Sequence, residues 1–143
     1  MVAVTGPART GKSTLLNHLV GKNVFETSNS RQACTEGVWL SSIENIVAAD
    51  GEKGGLVFVD TEGRGKDSLN NKVKLLTPIV LLAKIVIFNV WGQIGEQELL
   101  EKLQPFVHIG DRTKLSDEPF MFGHLIIAMR GYRFEGKLFK KDN

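Results

Sequence analysis

The run Gly6-Pro7-Ala8-Arg9-Thr10-Gly11-Lys12-Ser13 has the spacing G-x-x-x-x-G-K-[S/T] and stands between the apolar run Met1 to Val4 and the segment Thr14-Leu15-Leu16-Asn17-His18-Leu19. A strand, a Gly-rich loop and then a helix is the context that a phosphate-binding loop requires. Each residue type has a task. The glycines let backbone N–H groups close on phosphate oxygens, and the start of the helix adds donors and the positive end of its dipole. Lys12 would reach the β- and γ-phosphates, and the Ser13 hydroxyl would ligate Mg²⁺. Thr10 and Thr14 flank this pair in the same nucleotide-binding loop. These residues therefore predict a nucleotide ligand together with a divalent cation.

Further along, Val57-Phe58-Val59-Asp60 is an apolar run ending in an acid. In enzymes with such a loop the acid holds Mg²⁺, usually through a water, opposite the loop hydroxyl, which makes Asp60 a metal-shell candidate. Gly63 follows at D-x-x-G spacing, where its amide could meet the γ-phosphate with no side chain in the way. Thr35 offers a second hydroxyl to the metal. Alone, D-x-x-G is a common turn and a single Thr a common loop residue. In this order behind a phosphate loop, Ser13, Thr35, Asp60 and Gly63 read as a γ-phosphate sensor.

The elements that must position these groups follow from periodicity. A strand is expected from Val2 to Thr5 and a helix from Lys12 to Val20, with Gly21 as its C-terminal stop. Lys22 to Glu36 lacks sustained periodicity and reads as a long loop. Gly37 to Ile46 and Gly55 to Asp60 are β-prone runs joined by the turn-rich Ala49-Asp50-Gly51-Glu52-Lys53-Gly54, a hairpin that would place one antiparallel strand in the sheet. A helix from Lys72 to Ala83, a buried strand from Ile85 to Val90, a helix from Gly95 to Gln104 and a strand from His124 to Met129 complete the order. Pro105 and Pro119 then bracket a polar connection. Alternating strands and helices mean an α/β fold with the ligand at the carboxyl ends of a mostly parallel sheet.

Composition sets bounds on this reading. The chain has 143 residues, 42% hydrophobic and 24% charged, enough for one domain with a real core. A net charge of +2 is too small to point to nucleic acid, and the locally basic end from Lys137 to Lys141 reads as a solvated tail. Cys34 is the single cysteine, so no intrachain disulfide can form and a reducing, cytoplasmic location is expected. It is read as an inert thiol. The longest apolar run, Pro78 to Val90, is interrupted by Lys84 and Asn89 and is too short to span a bilayer; neither a signal peptide nor direct membrane insertion is expected. His18, His108 and His124 lack partners at metal-ligand spacing and read as structural. Trp39 and Trp91 read as core or sheet-face aromatics, and Glu96, Glu98, Glu101 and Lys102 as a solvated helix face.

Arg9 to Ser13, Leu15-Leu16-Asn17, Cys34-Thr35-Glu36-Gly37-Val38-Trp39 and Asp60-Thr61-Glu62-Gly63 together resemble the guanylate-binding-protein and atlastin branch of dynamin-like large GTPases. The resemblance extends from Met1 to about Arg130 and is strongest to the guanylate-binding proteins. It implies a P-loop NTPase three-layer sandwich and Mg²⁺-dependent hydrolysis of GTP to GDP. It makes Thr35 part of the first switch and Asp60 to Gly63 the second, with Thr35 and Glu62 helping to order the site while water attacks. It gives Arg9 the place of an arginine finger supplied in cis, and Arg130 that of the arginine in a guanine-reading Arg-Asp pair. A nucleotide-dependent homodimer through the GTPase face is implied as well.

Three departures limit what carries over. Ala33 stands where relatives tend to have a serine that places water, which implies slow hydrolysis. Arg130 is followed by Gly131, so the carboxylate that would accept from guanine N1–H and the exocyclic amine is missing. Thr113-Lys114-Leu115-Ser116-Asp117 does not replace it, because Asp117 falls one place late for the general base-reading motif. The chain also stops short of the family's final strands, which predicts a partial domain, 1–143, incomplete at its C-terminal end, with an exposed sheet edge. The competing reading is a nucleotide-binding regulatory module with weak base selectivity and little hydrolysis. A nucleotide kinase or ATPase is less well supported, since no Arg-rich lid or acceptor-binding motif is present.

Overall fold

The computed structural model describes residues 1–27, 37–47, 51–61, 68–113 and 123–131. Along the chain run β1 (Val2–Thr5), α1 (Lys12–Val20), β2 (Val38–Val47), β3 (Lys53–Thr61), α2 (Leu69–Leu82), β4 (Ile85–Trp91), α3 (Glu96–Thr113) and β5 (His124–Arg130). The five strands form one sheet in the order β2-β3-β1-β4-β5. β2 pairs antiparallel with β3, as the hairpin reading expected, and the other three pairings are parallel. This is the α/β arrangement of a P-loop NTPase.

β1 lies at the centre of the sheet and is buried on both faces, which is why its four residues, Val-Ala-Val-Thr, carry no alternation of polarity. Side chains alternate between the two faces of a strand. Ala3 of β1, Val59 of β3 and Val86 of β4 pack under Val73, Leu76, Ile79 and Val80 of α2 and Ile109 of α3. Val2, Val4 and Phe58 face the other way, onto Leu16 of α1 and Phe25. Helices therefore cover both faces, giving three layers. Because β1, β3, β4 and β5 run parallel, the loop after Thr5, Asp60, Asn89 and Arg130 all emerge at the same end.

Helix α1 and its stop agree with the sequence: Gly21 is left-handed, with φ 78°, and its N–H donates to the Asn17 carbonyl at 2.9 Å. β3 begins at Lys53 rather than Gly55, so Lys53 and Gly54 belong to the strand and not to the turn, and two helix boundaries differ by three residues or more. α2 begins at Leu69 rather than Lys72, because the Ser68 side chain caps it by accepting from the Asn71 N–H at 3.4 Å. α3 continues to Thr113 rather than ending at Gln104, so Pro105 lies inside a helix and does not open a connection. A proline in a helix interior costs about 3 kcal/mol through a lost hydrogen bond and a steric clash. Burial of Pro105 itself and of Ile109, together with Phe106 set edge-on against Phe88 at 5.8 Å between centroids, offsets that cost. Pro119 lies outside the described residues. No described helix is long and apolar enough to cross a membrane. β5 is the edge strand of the sheet among the described residues, and its Leu125, Ile126, Ile127 and Met129 are 40 to 46% exposed.

Candidate functional site

The loop that leaves β1 turns at Gly6, whose φ of 137° puts its backbone so near β4 that a Cβ would overlap the Asn89 carbonyl. It then closes on itself. The Pro7 carbonyl accepts from the Thr10 hydroxyl at 3.0 Å and from the Lys12 ammonium at 3.1 Å. Lys12 is buried, its stem folded back across the loop. Gly11, left-handed at φ 76°, caps α1, and its carbonyl accepts from the Leu15 N–H at 2.9 Å. The start of α1 thus faces the ring with the positive end of its dipole, the arrangement that suits an anion. Arg9 and Thr14 are exposed at the rim. Arg9 is the one non-glycine residue with positive φ, 64°, among the described residues.

Asp60 pairs in register with Val4, which brings β3 to the first turn of α1, and the Ser13 hydroxyl donates to its carboxylate at 2.5 Å. Asp60 is 1% exposed. One hydroxyl and one carboxylate are hard oxygen donors, the number and type that Mg²⁺ takes from protein when phosphates and waters supply the rest. The residues present fit that ion. Beside them the Thr61 hydroxyl donates to the Val4 carbonyl at 3.1 Å, tying down the end of β3 from which the Glu62–Gly63 segment departs. Thr35, Glu62, Gly63, Ala33 and Cys34 lie outside the described residues.

The structure adds a residue that sequence reading passed over. Asn89, noted only as an interruption of an apolar run, is fully buried and donates through Nδ2 to the Thr10 carbonyl at 2.7 Å and to the Thr10 hydroxyl at 3.2 Å. Its Oδ1 accepts from Arg130 Nε at 2.9 Å, while Arg130 Nη2 donates to the carbonyls of Thr10 at 2.6 Å and Gly11 at 2.9 Å. A polar amide in an otherwise apolar buried strand needs partners, and that was the available signal. Arg130, expected on the base side, thus reaches the back of the phosphate loop. Trp91, expected in the core or on a sheet face, is 64% exposed and so not core, and its ring centroid lies 5.5 Å from the Arg130 guanidinium carbon. Gly131 has φ 67°, and a Cβ on it would stand 3.1 Å from the Trp91 ring.

Trp39 packs on the α1-side core. His18, His108 and His124 are exposed, and no group of three His, Cys, Asp or Glu side chains able to hold a metal occurs among the described residues. Lys102 pairs with Glu98 at 3.0 Å on the solvated face of α3. Asn17, part of the resemblance, anchors the chain after α1: its Nδ2 donates to the Phe25 carbonyl at 2.8 Å, and its Oδ1 accepts from the N–H groups of Val24 and Phe25.

The central strand, its closed loop and the adjoining Ser13–Asp60 pair define a P-loop NTPase fold. The family described as guanylate-binding protein, N-terminal domain, matches residues 1–133, so the chain belongs to the guanylate-binding-protein family. It is 31% identical over 123 residues to human guanylate-binding protein 2, covering 83% of this chain and 20% of that protein. It is 34% identical over 123 residues to human guanylate-binding protein 3, with the same two coverages of 83% and 20%. Mouse guanylate-binding protein 5 is 32% identical over 124 residues, 82% of this chain and 20% of the relative. The chain thus spans about one fifth of the length of these relatives. Among solved structures, the mammalian SRP receptor shares the fold with a TM-score of 0.54 at 15% identity, over 88% of this chain and 59% of that one.

Proposed function

We propose that this domain binds GTP with Mg²⁺ and hydrolyses it at the γ-phosphate. The observation that carries the reading is the Ser13 hydroxyl held at 2.5 Å from the buried Asp60 carboxylate, beside a loop closed by Lys12 on the Pro7 carbonyl. On nucleotide entry the Lys12 ammonium exchanges that carbonyl for β- and γ-phosphate oxygens. The amides at the start of α1 take the remaining phosphate oxygens. Ser13 and Asp60 would hold Mg²⁺, which would supply neutralisation of the developing charge. Water attacks the γ-phosphorus, the bond to the β–γ bridging oxygen breaks with its electron pair going to GDP, and both protons of the water end on inorganic phosphate as H₂PO₄⁻.

Arg9, exposed on the rim, is the residue assigned to the charge on the transferring group. Thr35 and Glu62 order the water, and the Gly63 amide meets the γ-phosphate. Positioning and charge stabilisation are most of what phosphoryl transfer asks of a protein. Two domains meeting across the nucleotide would fix Arg9, so turnover per molecule rises with concentration. Such a domain would work in the reducing cytoplasm, where its single cysteine stays a thiol.

A second reading, a nucleotide-binding module with weak base selectivity and little turnover, is favoured by one observation. Position 131 is a left-handed glycine against Trp91 and carries no acceptor for guanine. Calorimetric titration with GTP, GDP and ATP, with and without Mg²⁺, followed by phosphate release, tests both readings. Phosphate release supports the first. Binding of GTP and ATP with similar affinity and no release leaves the second standing, and no binding of any nucleotide overturns both.

A further inference from the structure

We propose that Asn89 is a positioning residue of the nucleotide site, and that with Arg130 it forms a bracket holding the phosphate loop from behind. The inference rests on the reading of that loop as the phosphate-binding element. Asn89 sits on β4 and Arg130 at the end of β5, and both reach under the loop toward the same peptide units. The Thr10 carbonyl accepts from both side chains and the Gly11 carbonyl accepts from Arg130.

Within a planar trans peptide the C=O and the N–H point in opposite directions. Drawing the carbonyls of Thr10 and Gly11 toward β4 and β5 therefore aims the N–H groups of Gly11 and Lys12 out into the mouth of the loop, where phosphate oxygens bind. Neither bracket side chain needs to touch the ligand to do this.

The residue types suit the task. Asn89 needs a donor for Thr10 and an acceptor for Arg130 on one short stem, which an amide supplies and no apolar side chain does. An aspartate of the same size would keep the partner for Arg130 Nε but set a carboxylate oxygen against the Thr10 carbonyl. The Trp91 ring beneath Arg130 holds the guanidinium plane in place. The bracket acts on the phosphate half of the site, so its loss should fall alike on nucleotides of any base that present a β-phosphate.

The test compares Asn89→Ala, Asn89→Asp and Arg130→Lys with the parent chain. Two measurements are made: fluorescence titration with labelled GTP, GDP, ATP and GMP, and amide hydrogen exchange of residues 6–13 without nucleotide. Leaving a buried carbonyl short of a donor corresponds to roughly a tenfold or larger loss for GTP, GDP and ATP. GMP, which lacks the phosphates the loop grips, should change by less than about threefold, a contrast that general loosening of the fold would not produce. Asn89→Asp should lose at least as much as Asn89→Ala, and exchange in 6–13 should accelerate while β1 and β3 stay protected. If Asn89→Ala does not fold, Arg130→Lys, altered at a half-buried position, should show the same pattern at smaller size.

Unchanged exchange in 6–13, or losses for GMP parallel to those for GDP, overturns the bracket. If the parent binds no nucleotide, the functional reading falls, and exchange alone still decides whether Asn89 and Arg130 hold the loop.

Discussion

Arg9 is held in the left-handed region, at φ 64°, in a loop whose other positive-φ residues, Gly6 and Gly11, are glycines. For an L-residue with a Cβ this conformation costs about 1–2 kcal/mol, and such strain tends to collect at functional sites. Replacing Arg9 by Ala removes the guanidinium and keeps the strain. Replacing it by Gly removes both, at an entropic cost of about 0.5–1 kcal/mol from the more flexible unfolded chain. Arg9→Gly should therefore exceed Arg9→Ala in stability by about 0.5–1 kcal/mol, equivalent to roughly 1–4 °C in Tm for a domain of this size. Because Arg9 is exposed, little lost packing obscures the comparison. Thermal melts and urea titrations of the three proteins read the stability difference. Phosphate release reads the role: both variants should drop steeply, by an amount on the order of 10³ or more if Arg9 acts as a finger, while affinity for a non-hydrolysable GTP analogue stays within a few fold. Equal melting of the Ala and Gly variants would refute the strain argument. Undiminished release in both would refute the assignment of Arg9 to the transition state.

Lys12→Ala should abolish binding of GTP by calorimetry and leave a cooperative melt, since the buried ammonium contacts the loop carbonyl of Pro7 and its main task is to offset phosphate charge; affinity within twofold of the parent would contradict this. GTP and ATP should bind the parent with similar affinity. Gly131→Asp should raise the preference for GTP while lowering stability by about 1–2 kcal/mol, because position 131 combines φ 67° with a Cβ 3.1 Å from Trp91; paired calorimetry and melts would show whether both shifts occur. Ile109→Ala should destabilise by about 2–5 kcal/mol in urea titration, as the residue is buried against α2 in the part of α3 beyond Pro105. A loss under 1 kcal/mol would mean that the last turns of α3 do not belong to the core.

What could be read from the chain alone was whatever a few neighbouring residues decide. The Gly-rich loop between β1 and α1, the Gly21 stop and the β2–β3 hairpin were legible because each is set by glycine conformations, capping or alternation within about one or two turns of backbone. Asp60 was legible for the same reason, as an acid closing an apolar strand. The helix through Pro105 was not, since a local rule that ends helices at proline is overridden by burial of Pro105 and Ile109, which no short window contains. Nor was the role of Asn89, whose partner Thr10 is 79 positions away, or the turn of Arg130 toward Thr10, 120 positions away. The sequence by itself determined that a Gly-rich loop of the G-x-x-x-x-G-K-[S/T] pattern joins β1 to α1 and which residue types line it. Only the tertiary structure, by laying β1, β4 and β5 side by side with their carboxyl ends together, decided which distant side chains hold that loop in shape, because a buried carbonyl takes its donor from whatever the sheet brings within about 3 Å.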